Sequence, residues 1–164
     1  MPRFRLSALF LLLLATTACL DGGVFVPRID DVSFAPELNV NIALSTRTAS
    51  GLYYRDVTVG TGNLVRSAES GDSVSVRYEG FLRNAYKFDG NLTATEPLRF
   101  VTGDGTVIDG FDEGVRGMQV GGVRQIILPP ALAYGSRSQA GIPPNSILVF
   151  TVTLTRAVTP APTI

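Results

Sequence analysis

The stretch DSVSVRYEGF at residues 72–81 alternates without a break. Val74, Val76 and Tyr78 fall on one side of an extended chain, and Ser73, Ser75, Arg77 and Glu79 fall on the other. A repeat of two residues is that of a β-strand, and a strand with one apolar and one polar side is half-buried in an antiparallel sheet. Outward from it, LYYRDVTVG (52–60) lies before, and LRFVTG (98–103), GVRQIIL (122–128) and SILVFTVTLTR (146–156) lie after. All four are rich in β-branched and aromatic residues, which suit a pleated surface, so each reads as a further strand.

One segment changes period. In VIDGFDEGVRGMQVG (107–121), Ile108, Phe111, Val115 and Met118 recur at steps of three and four, the spacing of one helix face. Asp112 and Glu113 stand in its first turn, where the helix dipole favours acids, and Gly117 and Gly121 flank the exit. About five antiparallel strands and one short helix predict an α+β fold, a curved half-barrel of sheet wrapped around the helix.

At 164 residues and 45% apolar, with 17 Gly and 10 Pro, the chain suits one turn-rich globular domain with extensions. It contains no histidine, which excludes a Ser-His-Asp or Cys-His catalytic group and any histidine-ligated metal. One cysteine allows neither an intramolecular disulfide nor a thiolate cluster, so no metal or cofactor is expected. The 14 basic residues balance 14 acidic ones; without residues 1–18, which carry Arg3 and Arg5, 12 stand against 14, a net −2. No basic cluster is present, and no nucleic-acid partner is expected. Polar chemistry is left to Asp, Glu, Tyr, Ser and Lys87, an inventory that suits a reaction needing little proton transfer.

MPRFRLSALFLLLLATTAC (1–19) starts with Arg3 and Arg5, runs through an apolar stretch from Leu6 to Ala15 too short to span a bilayer, and meets small residues before Cys19. This is the layout of an export signal. It resembles a bacterial lipoprotein signal, with Thr16 where that pattern usually has an aliphatic residue. The resemblance implies removal of residues 1–18, acylation of Cys19 and a lipid anchor in the cell envelope. Acyl chains contribute about 0.8 kcal/mol per buried methylene, so a multiply acylated Cys19 holds firmly. Leu20 in place of Asp points to the periplasmic face of the outer membrane if the host is Gram-negative. Residues 19–50 show no sustained period and read as a lipidated tether, in which Val24-Phe25-Val26 and Ile42-Ala43-Leu44 each either add a short edge strand or pack on the domain. Residues 51–157 then form the domain, and 158–164 a tail.

A half-barrel covered by a helix leaves an apolar cleft between the two, a usual place for a ligand. Tyr78, Phe88, Phe100, Phe111, Tyr134 and Phe150 are concentrated in the segments that would line it. Any one of them alone is most simply a core residue. Their company argues otherwise. Asp89 directly follows Phe88, and Tyr134 stands in a Gly/Ser/Gln loop ahead of PPNSILVF (143–150), whose paired prolines stiffen the strand entry and hold Tyr134 and Ile142 in one place.

GLYYRDVTVGTG (51–62), GDSVSVRYEGFL (71–82), KFDG (87–90), VIDGFDEGVRGMQVGGVRQIILPPALAYG (107–135) and GIPPNSILVF (141–150) occur together in an order and spacing that resemble the FKBP-type peptidyl-prolyl cis–trans isomerases, in particular their bacterial lipoprotein form. The resemblance implies catalytic roles for Asp89 and Tyr134, the tyrosine hydroxyl donating to a substrate carbonyl. It also implies a proline-binding wall of Tyr78, Phe88, Leu98, Val107, Ile108, Phe111, Ile142 and Phe150, with the Ile108 N–H meeting a second carbonyl. Phe111 stands where the family often has tryptophan, Leu98 for a phenylalanine, Ala94 for an arginine that pairs with the aspartate, and Gln139 for an aromatic residue or histidine. Proline-containing polypeptides among exported proteins are the implied substrates, and the macrolide inhibitors of the family are expected to bind weakly.

Rotation about an X–Pro bond faces a barrier of about 20 kcal/mol because amide resonance is lost. The twisted amide is less dipolar than the planar one, so an apolar site that binds the twisted form better lowers the barrier with no nucleophile or base. Asp89 is then expected to be a fixed charge that orients Tyr134, with Arg83, Lys87 or Arg99 in place of the missing arginine. Two other readings fit parts of the sequence. One is a binding module of the same fold that holds exported proteins without turnover. The other is a structural envelope lipoprotein, which has no need of the Phe88-Asp89 pair and the AYG loop together. A Cys19→Ala variant is expected to lose incorporation of a labelled fatty acid and to leave the detergent phase; equal partitioning of the two proteins rejects the anchor.

Overall fold

The computed structural model describes residues 25–65 and 71–160. Cys19, the expected export signal and Val24 lie outside these residues, as does the end of the expected tail. Among the described residues, seven antiparallel strands form one open sheet: β1 (Thr46–Arg47), β2 (Tyr53–Thr58), β3 (Ser73–Leu82), β4 (Lys87–Gly90), β5 (Leu98–Val101), β6 (Val123–Leu128) and β7 (Leu148–Val158). One α-helix, α1 (Asp109–Val115), lies between β5 and β6 in sequence. The order across the sheet is β1-β2-β6-β7-β3-β4, and β5 shares the outer edge of β3 with β4. This is the expected α+β architecture with two more strands than the sequence pattern displays, because β1 and β4 are too short to show alternation.

Strand β3 pairs with β7 along its whole length, from Ser73↔Val158 to Leu82↔Leu148. A register shift between Ser75 and Val76 interrupts the ladder there. Ser75, on the expected solvent side, is buried at this point, and the Thr155 hydroxyl donates to its carbonyl at 2.9 Å.

Strands β6 and β7 are buried on both faces. Ile126, Leu128, Leu148, Phe150, Val152 and Leu154 join Val74, Val76, Phe111 and Val115 in the core on the helix side. Ile127 and Val149 alternate to the opposite side, where they meet Tyr53 and Ile147. Against the expectation of a tether for residues 19–50, the chain from Ile29 onward is folded over this second side. It runs as three single-turn 3-10 helices, Ile29–Asp31, Pro36–Leu38 and Ile42–Leu44. Its apolar contacts, Ile29, Val32, Phe34, Leu38, Val40 and Ile42, therefore follow neither a helical nor a strand period. Polar ties hold it: the Tyr53 hydroxyl donates to Asp30 Oδ1 at 2.6 Å, Gln125 Nε2 to the Leu38 carbonyl at 2.7 Å, and the Ala35 N–H to the Arg83 carbonyl at 2.8 Å. Of the two alternatives for Ile42–Leu44, packing on the domain is the one found: it is a single turn with Ile42 against the second cluster, Thr46–Arg47 takes the edge, and Phe25 and Val26 are exposed.

Helix α1 is two turns long, shorter than its sequence pattern suggests, and Met118 is buried beyond its end. Gly110 and Gly114 face β6. A Cβ on Gly110 would lie 2.7 Å from Leu128 Cδ2, and one on Gly114 would lie 2.5 Å from Ile126 Cδ1. A side chain in either place would have to displace Leu128 or Ile126, so the two glycines set how closely the helix lies on the sheet. The Asp112 carboxylate, buried, accepts from the Gly103 N–H at 3.1 Å and pairs with Arg116, tying the preceding loop to the helix. Arg124 on β6 completes the attachment from beneath. Its guanidinium meets the two Asp56 oxygens at 2.7 and 3.0 Å, donates to the carbonyls of Gly114 and Arg116 at 3.0 and 2.7 Å, and lies 4.3 Å over the Tyr54 ring.

Ile29→Ala is expected to lower stability in urea unfolding by about 2–4 kcal/mol, the usual cost of emptying a buried aliphatic site. A loss below about 0.5 kcal/mol, the size of a surface substitution, would make residues 29–44 an accessory to the sheet and not part of its fold.

Candidate functional site

A cleft of about 450 Å³ opens on the helix side of the sheet. Tyr78 reaches it from β3, Phe88 and Asp89 from β4, Leu98 from β5, Phe111 from α1 and Phe150 from β7. Val107, Ile108 and Tyr134 reach it from outside the regular elements. The rings meet edge to face: Phe111 stands 5.1 Å from Phe150 at 75° and 5.4 Å from Tyr78 at 70°, and Phe88 stands 5.6 Å from Phe150 at 90°. This geometry sets the positive edge of one ring on the negative face of the next and fixes the wall. Phe111, only 3% exposed, is the floor; Phe100 lies 6.0 Å behind it and outside the cleft. Gly80 on β3 makes room for the wall, since a Cβ there would be 2.7 Å from the Phe88 ring and 2.8 Å from the Phe150 ring.

Ile142 is placed elsewhere. It is buried in the main core and does not line the cleft. Its N–H donates to the Gln139 carbonyl at 2.8 Å and the Gln139 N–H donates back at 3.0 Å, a closed turn that accompanies the inward placement of the isoleucine. The same loop holds Tyr134 through the next residue, because the Gly135 carbonyl accepts from the Asn145 N–H at 2.7 Å just past the paired prolines. Gly105 and Thr106 line the cleft without having been singled out in the sequence. The signal was there: Asp104-Gly105 is a turn pair, and Asp104 Oδ1 accepts from the Thr106 N–H at 2.9 Å.

Asp89 does not orient Tyr134. Its Oδ2 accepts from the Tyr78 hydroxyl at 2.6 Å and its Oδ1 from the Gly90 N–H at 2.8 Å. Neither Lys87 nor Arg99 replaces the missing arginine, for Lys87 pairs with Glu79 at 2.6 Å and Arg99 with Glu96 at 2.8 Å. Arg83 makes no ion pair among the described residues. The aspartate is held by a phenol and a backbone amide instead of a cation.

Burial, then the hydrogen bond to Asp89 and its charge, push the Tyr78 phenol well above the ordinary tyrosine value. Burial, then the Asp89 charge, raise Tyr134 as well. Both hydroxyls therefore stay protonated through neutral and mildly alkaline pH. Among the described residues the Tyr134 hydroxyl and the Ile108 N–H have no protein acceptor, so both are unused donors at a cleft whose polar lining also includes Asp89 and Thr106.

Residues 65–155 match the family model of the FKBP-type peptidyl-prolyl cis–trans isomerases. The chain belongs to that family. FK506-binding protein 4 of Neurospora crassa is 47% identical over 110 residues, 67% of this chain and 23% of that protein. FK506-binding protein 1A of the same fungus is 46% identical over 90 residues, 54% of this chain and 75% of that protein. The chain thus spans about a quarter of the length of the first relative, and three quarters of the second. Among solved structures, FkpA from Escherichia coli matches with a TM-score of 0.63 at 39% identity, covering 73% of this chain and 53% of that one. AtFKBP13 matches with a TM-score of 0.62 at 32% identity, covering 70% and 98%.

Gly80→Ala is expected to force the Phe88 and Phe150 rings apart, at about 1–3 kcal/mol of overpacking. Affinity for a proline-containing peptide, measured by calorimetry on the folded variant, should fall roughly tenfold, as for other small changes of pocket volume. Unchanged affinity would show that the rings have room to move aside.

Proposed function

We propose that the chain is a peptidyl-prolyl cis–trans isomerase acting on exported proteins and anchored in the cell envelope through Cys19. The joint presence of an aromatic cavity and two unused donors, the Tyr134 hydroxyl and the Ile108 N–H, supports the activity most directly. Tyr78, Phe88, Phe111 and Phe150 enclose the proline ring. The two donors hold carbonyls of the substrate near the X–Pro bond. An amide so held has exchanged water for apolar surface, which disfavours the strongly dipolar planar forms more than the twisted one. That difference lowers a barrier of about 20 kcal/mol without moving a proton. Asp89 acts through Tyr78, fixing the phenol of one wall and keeping it neutral. The envelope location and the exported substrates rest on the sequence of residues 1–19.

Because both phenols are held above the ordinary tyrosine value near 10, turnover of a proline peptide is expected to be flat from about pH 6 to 10 and to fall only beyond it, as neutral donors are lost. Asp89→Asn should lower kcat/KM several-fold and keep the flat profile, since an amide oxygen still accepts from Tyr78. A bell-shaped wild-type profile that flattens in Asp89→Asn would establish proton transfer at this residue and overturn the mechanism. A folded protein that binds proline peptides without accelerating their isomerisation is the non-catalytic binding module.

A further inference from the structure

The wall of the cleft carried by β4 and β5 lacks continuous strand pairing. On the shared edge of β3, β5 pairs only with Ser73 to Val76 and β4 only with Glu79 to Phe81. Residues 91–97 bridge the gap, joining Phe88 and Asp89 on one side to Leu98 on the other, three residues of the cavity. The carbonyls of such a segment have no ladder to accept from. Arg77 stands on β3 at the gap, on the side of the strand opposite Tyr78. Its Nη1 donates to the carbonyls of Asn91 at 2.8 Å, Ala94 at 2.5 Å and Glu96 at 3.3 Å, and its Nη2 to the carbonyl of Thr95 at 3.1 Å. Asn91 fills the remaining ladder positions. Its Oδ1 accepts from the Tyr78 N–H at 2.8 Å, its Nδ2 donates to the Val76 carbonyl at 3.1 Å, and its own N–H donates to the Tyr78 carbonyl at 3.0 Å. Two side chains thus stand in for the strand that is missing between β4 and β5.

We propose that Arg77, with Asn91, is a positioning residue of the isomerase site. It sets the 91–97 loop and, through it, the places of Leu98 and of the Phe88-Asp89 pair against Tyr78. The role rests on the proposed isomerase activity of the cleft. The ion pair Glu96–Arg99 at the end of the loop is no substitute, because both side chains are exposed and three residues apart. A planar guanidinium meets several carbonyls at once; an ammonium meets fewer, and a thioether donates to none.

Arg77→Met and Arg77→Lys, made in the whole chain, test the role through hydrogen exchange and kinetics together. Arg77→Met is expected to speed exchange at the amides of residues 92–98 while those between β3 and β7 keep their protection. Its kcat/KM for a proline peptide should fall about tenfold or more, the usual result of small displacements in a preorganised site. Arg77→Lys should recover part of both. Faster exchange throughout the sheet, or a loosened loop with unchanged kcat/KM, would make Arg77 a general stabiliser and overturn the role. If the wild type turns over no proline peptide, isomerase activity is rejected on its own, and the Kd of the same peptide decides for Arg77. Weaker binding by Arg77→Met with local loosening supports positioning, and an equal Kd overturns it.

Discussion

Arg124 carries its charge beneath the helix to a place that is 4% exposed, and the floor of the cleft depends on it. Desolvating a guanidinium is costly unless its donors are met, and here they are met by both oxygens of Asp56 and by carbonyls at the end of α1. Those carbonyls are the ones a short helix leaves without partners. One side chain therefore caps the helix and fastens it to β6 and β2 together. Gly110 and Gly114 fix the depth at which the helix lies, and Arg124 fixes its end. Phe111 is presented to Tyr78 and Phe150 at edge-to-face distance as a result.

The site sets an exposed carboxylate, Asp89, beside a buried aromatic floor, Phe111. The chain has no tryptophan, and phenylalanine at position 111 has no side-chain N–H to offer, so the floor residue adds no polar atom to the cavity. The carboxylate that lines it is engaged by Tyr78 and Gly90, and the phenols are held neutral. In the proposed mechanism such a cavity acts as a solvent, discriminating between a planar and a twisted amide by how much dipole each must bring out of water.

Strand β3 and the helix were legible because each keeps one period long enough to be counted, and β2, β5, β6 and β7 because of their β-branched and aromatic content. The aromatic residues of the cleft were legible as a group, and the resemblance to the isomerase family assigned their roles. The cover on the second face was not, since its 3-10 turns repeat nothing, although the unbroken apolar runs IIL (126–128) and ILVF (147–150) already indicate strands buried on both sides. The partnership of Tyr78 with Asp89 depends on the register Gly80↔Asp89, which no local pattern specifies. Arg77 sits on what alternation marks as the solvent side, and the carbonyls it meets lie 14 to 19 residues further along the chain. Ile142 went the other way: its sequence neighbours are those of a pocket loop, but a tight turn buries it in the core.

Among the described residues strand β7 is the last element in chain order, and it lies in the middle of the sheet, between β6 and β3. Until residues 148–158 emerge, both of those neighbours carry open edges, and the core on the helix side lacks Leu148, Phe150, Val152 and Leu154. Pairing across such a sequence separation is slow and comes late. Phe150, which Tyr78, Phe88 and Phe111 all meet, arrives on this same strand. The aromatic wall and the middle of the sheet are therefore completed by the same segment, and neither exists in its finished form until residues 148–158 are in place.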